Sequence, residues 1–231
     1  MSPVDSLAER LADAQQKISA AAEKCDRAND DIKLIVVTKN HPTQLVFDLL
    51  DLGMRDFGEN RDQEAAPKAA EVRAASTIEH HWHFIGQLQS NKVKSVVSYA
   101  SSIHSLDRQS LLDALGKATI EREVPLDVFI QLNLTDDPGR GGIQPANLRP
   151  FAENVLTHPG LNLVGVMGVA ALDNNLERDF GAIRAASESL RTLKPEASLI
   201  SAGMSEDFET AIAFGATHLR IGSAITGKRQ Y

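Results

Sequence analysis

The chain has 231 residues, 42% of them hydrophobic and 5% aromatic, and its 31 acidic against 24 basic side chains leave a net charge of −7. That length suits one domain with a substantial core, and an aliphatic-rich, aromatic-poor composition favours helix-covered parallel sheet over an all-β sandwich. The acidic balance argues against a general role on nucleic acid or anionic membrane, and the lone Cys25 excludes an internal disulfide or a cysteine-rich zinc site.

Between Val4 and Ala28, the residues Leu7, Leu11, Ala14, Ile18, Ala21 and Cys25 recur three or four apart, the spacing of one apolar helix face. This segment reads as an extra N-terminal helix, within residues 1–30, packed on a single domain over residues 1–231. The opening MSPVDSLAERLADAQQ shows neither a secretory signal nor a lipidation motif. The longest apolar stretch, around Leu163 to Leu172, is about half of the length a membrane helix needs. A soluble cytoplasmic protein without membrane or nucleic-acid partners is expected.

Eight short apolar runs follow: Leu34 to Val37, Arg55 to Phe57, Trp82 to Ile85, Ile103 to Leu106, Asp127 to Asn133, Leu163 to Met167, Ser198 to Ser201 and His218 to Ile221. Helix-length amphipathic patterns separate them at Thr43 to Leu52, Arg61 to Arg73, Arg108 to Glu121, Gln144 to Leu156, Asn175 to Leu193 and Glu206 to Phe214. Such alternation predicts an α/β fold, a single (β/α)8 TIM barrel, with a doubly wound open sheet as the alternative. The commonest dinucleotide-binding form of that alternative needs Gly-x-Gly-x-x-Gly after the first strand, and it is absent. The loop Thr135 to Gly142 follows the fifth strand and should overhang the active-site face of a barrel.

In LIVVTK, strand alternation puts Ile35, Val37 and Lys39 on one side, so Lys39 would project into the barrel mouth if the other two line it. Partial desolvation there lowers an amine's pKa and prepares it to attack an aldehyde; a lysine snorkelling into solvent is the plain alternative. Ser201-Ala202-Gly203-Met204-Ser205, between the seventh strand and its helix, offers amides, hydroxyls and a helix start to a phosphate. It also reads as an ordinary Ser205 N-cap followed by Glu206 and Asp207, which must point away if phosphate binds. Arg220-Ile221-Gly222-Ser223-Ala224 ends the eighth strand, and barrel phosphate sites commonly lie between the seventh and eighth loops. Arg220 would reach inward toward a ligand acceptor or a buried partner such as Glu59. Asn60 either caps its helix or meets a ligand, while Asn91 and Lys92 stand near the mouth or open a solvated helix. His80, His81 and His83 invite a metal reading, but a defined third ligand is missing.

VTKNHP, DFGENRDQE, WHFIGQLQSNK, SAGMSED and LRIGSAITG, in that order over nearly the whole chain, resemble the pyridoxal phosphate homeostasis protein family. The resemblance implies a fold-type III barrel like the N-terminal domain of alanine racemase, with Lys39 holding pyridoxal 5′-phosphate as a Schiff base. It further implies phosphate contacts from Ser201, Met204, Ser205, Gly222 and Ser223, with Arg220 facing the pyridine nitrogen and Asn60 near the ring. A monomeric buffering and delivery protein without robust turnover is implied, apo-enzymes that use the cofactor being its possible recipients. An amino-acid racemase-like enzyme is the rival, but it needs a second base opposite Lys39, and the only tyrosines are Tyr99 and Tyr231. Thr226 stands where the family pattern has an aromatic residue. Arg140 stands where it has a lysine proposed to take a second cofactor molecule, which puts a covalent secondary site in question.

Overall fold

A computed structural model of the chain describes residues 6–135, 137–171 and 175–227. The first helix, α1 (Leu7–Glu23), starts at a capping box: the Ser6 amide donates to Glu9 Oε2 at 2.7 Å, and the Glu9 amide donates to Ser6 Oγ at 3.2 Å. Then β1 (Lys33–Val37), α2 (Thr43–Asp51), β2 (Asp56–Glu59), α3 (Asp62–Ala75), β3 (His81–Phe84) and the short α4 (Val93–Val96) follow. The chain continues through β4 (Ala100–Leu106), α5 (Gln109–Thr119), β5 (Leu126–Gln131), α6 (Leu148–Val155) and β6 (Leu161–Met167). It proceeds with α7 (Leu176–Arg191), β7 (Leu199–Ser201), α8 (Phe208–Ala213), β8 (His218–Ile221) and α9 (Ser223–Thr226).

Every strand pairs in parallel with the next, and β1 closes the circle on β8, with Leu34 opposite Leu219 and Val36 opposite Ile221. The fold is the TIM barrel expected, and each of the eight predicted runs overlaps a strand. Closure follows from β-branched, two-sided apolar strands such as KLIVV, which have helices to cover one face and a lumen on the other. Pro145 opens a separate 3-10 turn, Pro145–Asn147, so α6 is shorter than the periodicity of 144–156 suggests.

Most of the core lies between sheet and helices, where Val36, Leu49, Phe57, Val72, Leu111, Leu115 and Ile183 are buried. A separate cluster of Phe129, Val164 and Met167 stands apart from it. Phe129 stacks on His104, with ring centroids 4.3 Å apart. Helix α1 buries Leu11, Ala14, Ile18 and Ala21 and lies against α8 and α9, with Arg10 Nε donating to the Ile225 carbonyl at 2.7 Å. That brace reaches the two elements that follow β7 and β8.

Candidate functional site

A cavity of about 950 Å³ opens at the C-terminal mouth of the barrel. Lys39 stands on its wall two residues beyond the end of β1, and the residues on either side of it are tethered. Thr38 is fully buried; its hydroxyl donates to Glu59 Oε1 at 2.7 Å and its carbonyl accepts from Lys68 Nζ at 3.0 Å. Lys68 also pairs with Glu59 at 2.5 Å, within a pocket of protein that raises the Glu59 pKa by burial while the lysine opposes the rise. Asn40 adopts the left-handed region at φ 60°, turning the chain away immediately after Lys39, and its amide donates to Glu64 at 2.9 Å. A buried ion pair therefore sets where the Lys39 side chain begins.

Opposite in sequence, and adjacent in space through the β1–β8 pairing, Arg220 reaches the same cavity. It is 5% exposed, and burial lowers its pKa to about 10, which leaves it charged at neutral pH. Nη1 donates to Ser201 Oγ at 2.6 Å and Nη2 to the Gly168 carbonyl at 2.9 Å. Since guanidinium carries five N–H donors, these two bonds leave others to serve a ligand. Glu59, engaged by Lys68 and Thr38, is not the Arg220 partner.

The turn after β7 passes through Gly203 at φ 94°, whose carbonyl accepts the Arg220 amide at 2.9 Å. A Cβ there would lie 2.8 Å from Ala211 Cβ, so glycine is required for both conformation and space. Met204, Ser205, Glu206 and Asp207 then line the cavity. Both acidic residues thus belong to its lining, where phosphate binding requires their carboxylates to point away. Asp207 Oδ1 accepts the Met204 amide at 2.5 Å, and burial raises the Asp207 pKa. Gly222 and Ser223 face it after β8, where Ser223 and Ala224 open α9 with amides that have no preceding helical carbonyl to bond.

Of the eight residues singled out from the sequence, Lys39, Asn60, Met204, Ser205, Arg220, Gly222 and Ser223 line this one cavity. Ser201 does not. It is wholly buried beneath Arg220, its hydroxyl shared between Arg220 and His104 Nδ1 at 2.7 Å, so it supports the guanidinium where a direct phosphate contact was expected. Asn60 Oδ1 is buried without a hydrogen-bond partner among the described residues. His41, which sequence reading passed over, also lines the cavity; only its place two residues after Lys39 could have flagged it. Thr226 lies on the wall with its hydroxyl donating to the Gly222 carbonyl at 3.2 Å. Arg140 is off the wall and donates to the carbonyl of Ala170, which is on it, at 2.7 Å, so the loop after β5 does reach the rim. Lys92 borders a neighbouring cavity instead, 3.9 Å from Asp62. The three histidines are dispersed: His80 packs beside Phe57 and Trp82, whereas His83 is buried and bonded to Asp56, Ser102 and His104.

A family profile described as the alanine racemase N-terminal domain matches residues 10–230. The pyridoxal phosphate homeostasis protein of Escherichia coli is 38% identical over 231 residues, covering 99% of both chains. This chain belongs to the pyridoxal phosphate homeostasis protein family. A family member from Mycobacterium tuberculosis is 35% identical, covering 97% of this chain and 93% of its own. PipY of Synechococcus elongatus, solved with PLP bound, shares 31% identity at a TM-score of 0.83 and covers 96% of this chain and 100% of its own. Alanine racemase from Corynebacterium glutamicum shares the fold, at 16% identity and a TM-score of 0.68, with 62% of that enzyme matched. Membership of the homeostasis family thus rests on the whole barrel.

Proposed function

We propose that this chain binds pyridoxal 5′-phosphate, attached through Lys39, and serves in the intracellular homeostasis of that cofactor by holding it and handing it on. The observation that carries this reading is the convergence of Lys39, Arg220 and the two small-residue turns after β7 and β8 on one cavity. The donor set fits the group: an amine for the aldehyde, a buried guanidinium for the ring nitrogen, and paired turns of amides and hydroxyls for the phosphate. When bound, pyridoxal phosphate supplies an aldehyde that condenses with primary amines and a ring that withdraws electrons.

Each residue then has a task. Lys39 provides the attacking amine at a spot fixed by the Thr38–Glu59–Lys68 clamp. Arg220, held from below by Ser201 and Gly168, directs its remaining N–H groups into the cavity, and a cation there leaves a ring nitrogen unprotonated. Ser205 and Ser223 offer hydroxyls to phosphate, and Asn60 lines the cavity for the ring. The racemase alternative needs a base opposite Lys39. Tyr99 is on the outer wall, 3.4 Å from Asp62, and among the described residues no tyrosine lines the cavity; Tyr231 lies outside the described residues. We place the protein in the cytoplasm as a monomer whose partners are apo-enzymes that use the same cofactor.

Borohydride reduction of the loaded protein followed by peptide mass spectrometry tests the assignment. The adduct is expected on the Lys39 peptide and is lost in Lys39→Ala, with the circular dichroism spectrum unchanged because the side chain ends in the mouth. A reduced adduct on a different lysine, with Lys39 unmodified, would overturn it. Mixing loaded protein with a cofactor-free enzyme and following recovery of that enzyme's activity tests delivery.

A further inference from the structure

From the barrel floor up to the cavity, seven polar side chains cross the lumen in one hydrogen-bonded line. Lys33 Nζ donates to Asp56 Oδ1 at 3.1 Å on the floor, and His83 Nε2 meets the same oxygen at 2.8 Å. His83 Nδ1 is 2.7 Å from Ser102 Oγ and 3.1 Å from His104 Nε2, while Ser102 Oγ is 3.0 Å from His104 Nε2. His104 Nδ1 lies 2.7 Å from Ser201 Oγ, and Ser201 accepts from Arg220 at 2.6 Å. The bond between His104 on β4 and Ser201 on β7 joins strands that are not neighbours in the sheet, so the line must run through the interior.

With the two ends set, only one direction along the line gives every imidazole nitrogen a complementary partner. A guanidinium can only donate and a carboxylate can only accept. Arg220 therefore makes Ser201 Oγ an acceptor, and the Ser201 O–H has His104 Nδ1 to donate to. His104 is then neutral, with its proton on Nε2, and donates onward to Ser102 or directly to His83. His83 in turn donates from Nε2 to Asp56. Burial holds both imidazoles neutral, and for His104 the positive charges of Arg220 and Lys33 oppose protonation further. His218, whose ring lies 6.2 Å from His104, is depressed to about 3 by burial, so it adds no cation at neutral pH.

We infer that His104 is a positioning residue for Arg220: acting through Ser201, it completes a one-way hydrogen-bond line from the barrel floor that aims the guanidinium into the cavity. This rests on the reading of that cavity as the cofactor site. Among the described residues Arg220 makes no ion pair, and Asp207 acts on its charge only from a distance. The line connects Arg220 through neutral groups to the Asp56 carboxylate, which His83 and Lys33 draw to about 2 against the upward push of burial.

The imidazole tautomers test the line without any cofactor. In full-length protein labelled with nitrogen-15 in histidine, two-bond proton–nitrogen spectra should show His83 and His104 as neutral Nε2–H forms at about pH 6 and about pH 8. Ser102→Ala should keep both forms, because the direct 3.1 Å contact bypasses the hydroxyl. An Nδ1–H or imidazolium form of His104 in the wild type overturns the inference. In loaded protein, His104→Phe keeps the ring stack on Phe129 but removes both nitrogens, and it should release pyridoxal phosphate about tenfold faster, or about 1.4 kcal/mol, with a shifted visible absorption band. A wild-type band and release rate in that variant would also overturn it. Should the variant not fold, the wild-type tautomers decide alone. A wild-type chain that takes up no pyridoxal phosphate refutes the cofactor reading and leaves the tautomer result standing.

Discussion

Asp207 occupies a place that a phosphate would want. Its carboxylate already holds the Met204 amide at 2.5 Å, inside the turn proposed to receive the phosphate, and two anions there repel each other. Asparagine can accept the same amide hydrogen without the charge. Asp207→Asn is therefore expected to bind pyridoxal phosphate several-fold more tightly, by absorbance titration, whereas Ser205→Ala weakens binding by about 1.5–3 kcal/mol if its hydroxyl bond to the phosphate is shielded from water. Looser binding in Asp207→Asn would show that the carboxylate organises the turn more than it opposes the ligand. At this scale the sequence revealed residue types at strand ends, which is why Lys39, Arg220 and the Ser205 and Ser223 turns were legible. It did not reveal Ser201 as a support under Arg220, because a serine at the end of an inward-facing strand looks the same whether its hydroxyl meets ligand or protein.

Loops after β2 and β3 meet closely enough that one residue governs both. A Cβ placed on Gly86 would lie 2.2 Å from the Asn60 carbonyl oxygen, so the loop after β3 can press on the loop after β2 only if position 86 is glycine. Gly86→Ala should push Asn60 off the cavity wall, lowering the melting temperature by several degrees and weakening cofactor retention together. Retention unchanged at reduced stability would separate Asn60 from the site. Element positions were readable from periodicity; the short α4 was not, because four residues, Val93–Val96, are too few to establish a helical repeat.

Burying neutral histidines inside the barrel makes the whole molecule sensitive to acid. His218 falls to about 3 in the folded chain, against about 6.5 when unfolded. Between those values the unfolded chain carries the extra proton, so stability declines as pH falls through this window, by about 1.4 kcal/mol per pH unit for one such histidine. His83 and His104 shift in the same direction. Asp56, held at about 2, contributes stability above its unfolded value near 4 and loses it only below that, overlapping the histidine window at its acid end alone. Urea unfolding is expected to give a stability at about pH 5 at least about 2 kcal/mol below that at about pH 7. His218→Met, which fills the space without a titrating group, should narrow the difference. An undiminished difference in that variant would assign the acid sensitivity elsewhere.

By itself the sequence determined the barrel, because eight apolar runs alternating with amphipathic helices can bury both faces of their strands in few other ways, and it placed Lys39 at the mouth through two-residue alternation. Only the tertiary structure decided what faces what across the lumen. Periodicity says which side of a strand points inward, but closure and stagger of the barrel set which inward residues meet. That is why His104 on β4 finds Ser201 on β7, why Glu59 is spent on Lys68 and leaves Arg220 to the cavity, and why Lys39 and Arg220, near opposite ends of the chain, share one pocket.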